Sequence, residues 1–491
     1  MSIKFYNSLT NKLEEFNPVH EGKVTMYNCG PTVYSFQHIG NYRAFIFADL
    51  LRRFLEFKGF KVTQVMNITD VGHLTDDGDD GEDKLQKAAD KEKKHPLEIA
   101  KFYTDAFLKD WRSLNIQEPH FRPKATENVN EIIQLVEVLL KEGHAYVSGG
   151  NVYYDITSFP DYGKLSGNSL DKLTNNRVDP DPNKRNPHDF VLWFNNSKFE
   201  NHILKWDSPW GEGYPGWHAE CSVMSARHLT SAFDDDGKLN PDKFETIDIH
   251  TGGEDNKFPH HECEIAQSEG AFKKPFANFW MHASFLKVEG DKMSKSKGTV
   301  YYVSKLIEEG FSWRAIRYLL LSANYRQSLN FTKDGLRAAE ATLNRLDEML
   351  KKLNSIRFDL PFDEDVSLVV NEMLLVVENE LDNDLNISGA LGAMFESIKA
   401  VNIGLQKNSI GQNQAKDIIE KFFELDSIFG FIPRSILDDV GVSQEIADIL
   451  EQRSLARKEK NWSKSDELRD LLKEKGYVVK DTSNGQEWSK I

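Results

Sequence analysis

VTMYNCGPTVYSFQHIGNYRAFIFADLLRRFLEFKGFKVTQVMNI, residues 24–68, decides the fold. Residues 24–29 read as a short strand, which Gly30-Pro31 interrupts. From Asn41 onward Phe47, Leu50, Leu51, Phe54 and Leu55 recur with helical spacing, and Gly59 closes that helix. Residues 62–68 read as a second strand. Strand, helix and strand form a β-α-β unit of the kind that opens a doubly wound, nucleotide-binding sheet. His38 and Gly40 then fall at the helix N-terminus, where backbone N–H groups and the helix dipole attract phosphate. Gly40 lets a ligand approach closely, and His38 can donate to a phosphate oxygen as charge develops. On its own, His38-Ile39-Gly40-Asn41 is equally a chance match or a capping histidine.

A second motif changes that balance. In Lys292-Met293-Ser294-Lys295-Ser296-Lys297-Gly298, lysines, small hydroxyl residues and a glycine form a mobile cationic loop suited to a triphosphate. A solvated charge run is the plain alternative, but it does not account for both motifs occurring in this order. In these residues the chain resembles class I aminoacyl-tRNA synthetases. The resemblance implies an α/β Rossmann-type catalytic domain with an inserted subdomain, followed by an all-α helical bundle and a small C-terminal anticodon-binding domain. It also implies the reaction. A carboxylate attacks the α-phosphate of ATP, forming an aminoacyl adenylate and pyrophosphate, and the acyl group passes to the terminal ribose of tRNA. Because the nucleophile is already ionised at pH 7, activation needs positioning and charge stabilisation but no general base. By the same resemblance His38, Gly40 and Asn41 meet the phosphates of ATP and its Mg2+, Lys292 and Lys295 stabilise the transition state, and Gly252, Gly253 and Asp255 hold the nucleoside. The family's first motif usually ends in histidine. Asn41 keeps an N–H donor but cannot carry positive charge.

At 491 residues the chain exceeds what one core usually supports, and about 150 residues per domain suggests about three domains. The expected boundaries are 1–120 and 205–285 for the two halves of the Rossmann domain, with an inserted connective subdomain over 121–204 and an aromatic, loop-rich stretch over 146–216. A stem-contact region with the lysine motif follows over 286–330, then a helical bundle over 331–435, in which Leu336, Leu343, Leu346 and Leu350, and then residues 374–381, mark amphipathic helices. The last region, 436–491, is the anticodon reader. No stretch approaches the roughly 20 apolar residues of a membrane helix, and the start lacks a signal-peptide core, so a cytoplasmic protein without a membrane partner, and a monomer, is the expectation. A formal charge of -16 argues against a general polyanion-binding surface without excluding local basic patches. The acidic loop at 76–83 superficially suggests calcium, but the twelfth position from Asp76 is Lys87 instead of glutamate, and the reading fails.

Three cysteines, Cys29, Cys221 and Cys263, are too few for a disulfide framework, which leaves buried or metal-bound thiols. If a helix follows Pro259, His260 and Glu264 lie one turn apart, a spacing that suits two ligands of one metal. A helix-face ion pair and a satisfied core histidine are the alternatives. The zincin pattern is excluded because Ile265 stands where its second histidine belongs.

The match narrows through CGPTVY at 29–34, NITD at 67–70, GWHAECS at 216–222, FPHHE at 258–262 and RSLARKEKNWSKSDELRD at 453–470. In these the chain resembles the cysteinyl-tRNA synthetase family along essentially its whole length. The resemblance implies one zinc ion bound by Cys29, Cys221, His260 and Glu264, with Trp217 against the substrate side chain and Thr69 near its amino group. It implies ATP, L-cysteine and tRNA-Cys as partners. Hydrophobic discrimination between near-isosteres yields only about 1–3 kcal/mol, whereas zinc prefers thiolate, so a metal can separate cysteine from serine without an editing domain. Cys263 is read as a small, partly buried residue outside the ligand set. Arg453, Arg457 and Lys460, with Trp462 and Trp488, offer phosphate contacts and stacking faces for tRNA, or else form a solvated helix over core tryptophans. The polar stretch 231–246 reads as a long surface loop. A cysteine ligase acting on a sugar amine would lack the long C-terminal extension, and the intact motifs argue against a non-catalytic paralogue.

Overall fold

The computed structural model describes residues 2–71, 84–168, 181–195, 203–293, 299–438, 444–482 and 485–490. The acidic loop at 76–83 and Lys295 lie outside them, and for Lys292 and Trp488 only the backbone is described. The chain divides into two compact units, 1–432 and 433–491.

The centre of the first unit is a four-stranded parallel sheet. Its strands are β1 (Lys23–Asn28), β2 (Lys61–Met66), β3 (Ile247–Gly253) and β4 (Ala277–Ala283), in the order β4-β3-β1-β2. Between β1 and β2 runs α1 (Ile39–Phe57), which buries Phe47, Leu50, Leu51, Phe54 and Leu55 as their spacing requires. Gly59 follows at φ 86°, a left-handed turn that favours glycine and lets the chain re-enter the sheet. Helix α2 (His218–Leu229) packs against β1 and β2, and α3 (His260–Phe272) packs on α2.

The aromatic insertion is better ordered than a loop-rich reading implies. Strands Ala145–Ser148, Asn151–Tyr154, Phe190–Phe194 and Tyr214–Pro215 form an antiparallel sheet. Gly149 and Gly150, both at positive φ, make a two-residue hairpin turn whose twist matches its strands. All five residues of Phe190–Phe194 are buried, so the aromatic content is strand and core. The stretch 231–246 is likewise tied down. Gln134 donates to Gly237 O at 2.8 Å and accepts from Leu239 N at 2.8 Å, while Phe244 stacks on Phe272 with centroids 4.2 Å apart.

Helices Lys333–Ser355, Glu364–Asp382, Ile387–Lys407 and Gln412–Phe429 make the bundle. Leu336, Leu343, Leu346 and Leu350 are buried. In the second helix the buried stripe is Val366, Val370, Met373, Val377 and Leu381, and Leu375 faces solvent. Residues 373–377 are an unbroken hydrophobic run, so composition did not reveal its phase. The second unit packs helices Gln444–Lys458 and Trp462–Glu474 on a hairpin of Tyr477–Thr482 and Gly485–Lys490, around Ile446, Leu450, Leu468, Leu472 and Val479.

Candidate active site and metal centre

His38 is the N-cap of α1, and it forms a capping box with Asn41. Asn41 N donates to His38 Nδ1 at 3.3 Å, and His38 N donates to Asn41 Oδ1 at 3.1 Å. With Nδ1 accepting, the neutral ring carries its proton on Nε2, which is the nitrogen able to donate to a ligand. Asn41 commits its oxygen to the backbone, which leaves its NH2 as the donating half. The departure from histidine at this position therefore has a local structural use.

Gly40 comes close to the second motif: a Cβ there would lie 2.6 Å from Met293 Cε, the far end of a flexible side chain. On the far side of the lysine motif Ile39 N donates to Tyr301 O at 3.0 Å, and His38 bridges Tyr302. The two motifs thus meet at the start of α1. At the end of β3, a Cβ on Gly252 would lie 2.7 Å from the His261 ring, and Gly253 N donates to Asn256 Oδ1 at 2.9 Å. Asp255 begins the turn beyond the strand, beside Gly253.

Cys29 follows β1 directly, Cys221 sits on the first turns of α2, and His260 and Glu264 sit on α3. Their ligand atoms all lie within 4.8 Å of one another. His260 Nε2 and Glu264 Oε1 are 2.8 Å apart, one helical turn as the spacing requires. Cys221 Sγ lies 3.6 Å from His260 Nε2, and Cys29 Sγ 3.8 Å from Glu264 Oε1. Two sulfurs, one imidazole and one carboxylate fit a zinc ion. Trp217 stacks flat on His260, centroids 4.0 Å apart at 2°.

An overlapping group, Cys29, His250, His261 and Glu264, meets the same distance limit. His250 Nε2 is 2.7 Å from Glu264 Oε2, and His261 Nε2 is 3.1 Å from Cys29 Sγ. Behind them His261 Nδ1 is 2.8 Å from His282 Nε2, and His218 Nδ1 is 3.0 Å from His260 Nδ1. Ring partners of this kind fix the orientation of ligating side chains. Sequence reasoning did not select His218, His250, His261 or His282, although His218 and His261 lie inside quoted motifs.

The fields in this buried cluster are strong. Burial raises the Glu264 carboxyl, but His250 and His260 outweigh it and hold the group well below its ordinary range. Burial lowers His260, yet Glu264 beside it pushes the imidazole up to about 10. Burial drives the Cys29 thiol well up, while Cys221 falls to about 6, because the hydrogen bond from Cys29 and the His260 charge overcome its own burial. Cys221 and Glu264 are thus held anionic beside a charged His260, an arrangement in which a dication would take the place of the shared proton. Cys263 belongs to neither group. It is buried, with its sulfur 3.4 Å from Tyr162 Oη.

Thr69 Oγ1 donates to Glu220 Oε2 at 2.8 Å and accepts from Asn67 Nδ2 at 3.1 Å. Its proton is thus committed, so it meets a substrate only as an acceptor, the role an ammonium group needs. In the second unit Arg453 is buried and donates to Gln486 Oε1 at 2.8 Å, so its charge does not face solvent. Trp462 is 55% exposed with the Arg457 guanidinium 5.5 Å from its ring centroid, and Lys460 is exposed beside it.

The parallel sheet and the two motifs joined at its first crossover helix define a class I synthetase core. The model for the tRNA synthetases class I (C) catalytic domain matches residues 15–341, that for the DALR domain residues 376–432, and that for the cysteinyl-tRNA ligase anticodon binding domain residues 439–488. A cysteine–tRNA ligase from Treponema denticola is 43% identical over the whole of both chains, and one from Chlorobaculum tepidum is 40% identical over 100% of this chain and 99% of its own. The chain belongs to the cysteine–tRNA ligase family. Among solved structures, a Mycobacterium tuberculosis methionyl-tRNA synthetase in complex with methionyl-adenylate shares the fold, with TM-score 0.59 at 15% identity over 86% of this chain and 94% of its own. No helix among the described residues is long and apolar enough to cross a membrane.

Proposed function

We propose that the chain activates L-cysteine with ATP and transfers the cysteinyl group to the 3′-terminal ribose of tRNA-Cys, with Cys29, Cys221, His260 and Glu264 holding a zinc ion that selects the substrate. The observation that carries this reading is the convergence of those four donors within 4.8 Å at the end of β1, the strand that leads to His38. When bound there, zinc supplies a soft Lewis acid that favours a substrate thiolate over the hydroxyl of serine.

The remaining work falls to side chains of the chain itself. Trp217, fixed on the His260 ring, covers the substrate side chain, and Thr69 accepts from its ammonium. The capping box aims His38 Nε2–H and the Asn41 amide at the phosphates, while Gly40 keeps the start of α1 free of a side chain. Lys292 and Lys295 balance the charge that develops on the α-phosphate and pyrophosphate, with Mg2+ accompanying ATP. Gly252, Gly253 and Asp255 hold the nucleoside. Residues 286–330 meet the acceptor stem, and the second unit reads the anticodon, with Arg457, Lys460, Trp462 and Trp488 at the contact. We assign the protein to the cytoplasm as a monomer.

Pyrophosphate exchange with each of the twenty amino acids, alongside zinc analysis of the same sample, tests the reading. Cysteine alone should support exchange. Comparable exchange with serine, or full activity in a sample stripped of zinc, would overturn it.

A further inference from the structure

Arg43 stands two residues after Asn41 on α1 and is only 3% exposed. Its guanidinium faces no carboxylate at hydrogen-bond distance among the described residues. Instead it donates to three backbone carbonyls: Nη1 to Phe285 O at 2.9 Å, and Nη2 to Asn324 O at 3.3 Å and to Gln327 O. Burial pulls the guanidinium down to about 10, with Glu254 opposing, so it stays charged at neutral pH.

The position of those carbonyls gives the contact its meaning. Phe285 immediately precedes strand Leu286–Val288, and Asn324 and Gln327 precede strand Leu329–Phe331. These two strands pair in parallel, Leu286 with Leu329 and Val288 with Phe331. Everything between them, including the lysine motif, leaves and returns through the two points that Arg43 grips. Phe47 of α1 also stacks on Tyr325, centroids 4.3 Å apart, so packing and the Arg43 hydrogen bonds together set this segment against α1. On the other side of the segment the motifs touch at Gly40 and Met293, where a Cβ would already be 2.6 Å from the methionine.

We infer that Arg43 is a positioning residue that holds the lysine-motif segment in register with the first motif, and that it acts on adenylate formation and not on transfer to tRNA. The inference rests on the adenylation reading above. A planar fork with two bonding edges can bridge both points, whereas an ammonium group on a flexible stem holds one of them. Displacement of a transition-state group by about 1 Å costs on the order of 100-fold in rate, so Arg43→Lys should lower kcat for cysteine-dependent pyrophosphate exchange by that factor. The KM for cysteine and the zinc content should stay near wild type. For the second step, cysteinyl-adenylate is accumulated on the enzyme with pyrophosphatase and mixed with tRNA-Cys in a single turnover, and the rate should be within about twofold of wild type. Arg43→Met is run beside it; if that variant folds poorly, Arg43→Lys alone decides. Equal losses in both steps, or exchange within threefold of wild type, would overturn the inference. Wild-type enzyme silent in exchange would instead refute the functional reading.

Discussion

Replacing Cys221 with serine should weaken the metal centre, while the same change at Cys263, which lies between His260 and Glu264 on α3 but outside both donor groups, should leave it intact. The four donors Cys29, Cys221, His260 and Glu264 sit within 4.8 Å of one another, and serine at 221 substitutes a hydroxyl that stays protonated at neutral pH. If a zinc site binds with about 12 kcal/mol shared evenly by four ligands, losing one costs about 3 kcal/mol, or roughly 100-fold in affinity. Cys263, by contrast, has its sulfur 3.4 Å from Tyr162 Oη and stands outside both donor groups. Exchanging that weak sulfur bond for a serine hydroxyl should change stability by about 1 kcal/mol and metal affinity not at all. The assay is zinc content by mass spectrometry after dialysis against graded concentrations of a competing chelator, with unfolding midpoints measured on the same samples. Zinc lost equally from both variants, or held by Cys221→Ser as tightly as by wild type, would refute the ligand assignment.

Arg317 and Asp49 form a buried pair in which the guanidinium also donates to Phe429 O at 2.7 Å and Leu114 O at 3.1 Å. Removing one partner of a buried pair costs about 3–5 kcal/mol; because Arg53 Nε remains 2.8 Å from Asp49, Arg317→Met should fall near the lower figure. Urea unfolding would read the loss, and a cost below about 1 kcal/mol would contradict it. Ending the chain at Ile432, where the first compact unit stops, should leave cysteine-dependent pyrophosphate exchange within about threefold but lower charging of tRNA-Cys by tenfold or more. Equal losses in both assays would make the second unit a structural support.

Much of this was legible locally. The helical period that buries Phe47, Leu50 and Leu51 is written in consecutive residues, and so is the single turn that separates His260 from Glu264. The family resemblance also named Cys29 and Cys221 as their companions. Composition misled where it carried no phase. The basic run at 453–460 exposes Lys460 and leaves Arg457 half-buried but turns Arg453 into the core, because a string of charges does not state which helical face it occupies. The aromatic insertion looked like loop because asparagine, proline and glycine interrupt it, yet two glycines at positive φ are what close its first hairpin.

The order and spacing of motifs by themselves pointed to a nucleotide site at the start of α1 and a cationic loop that serves it, and the family resemblance added the four donors suited to zinc. Only tertiary structure decided how these meet. His250 and His282 reach the centre because β3 and β4 lie in parallel, with Gly252 opposite His282, and that register brings together side chains 32 residues apart. Arg43 finds its carbonyls 242 and 284 residues away. Such contacts follow from how strands pair and helices pack around a common core, free energies shared among many distant residues, and no local pattern contains them.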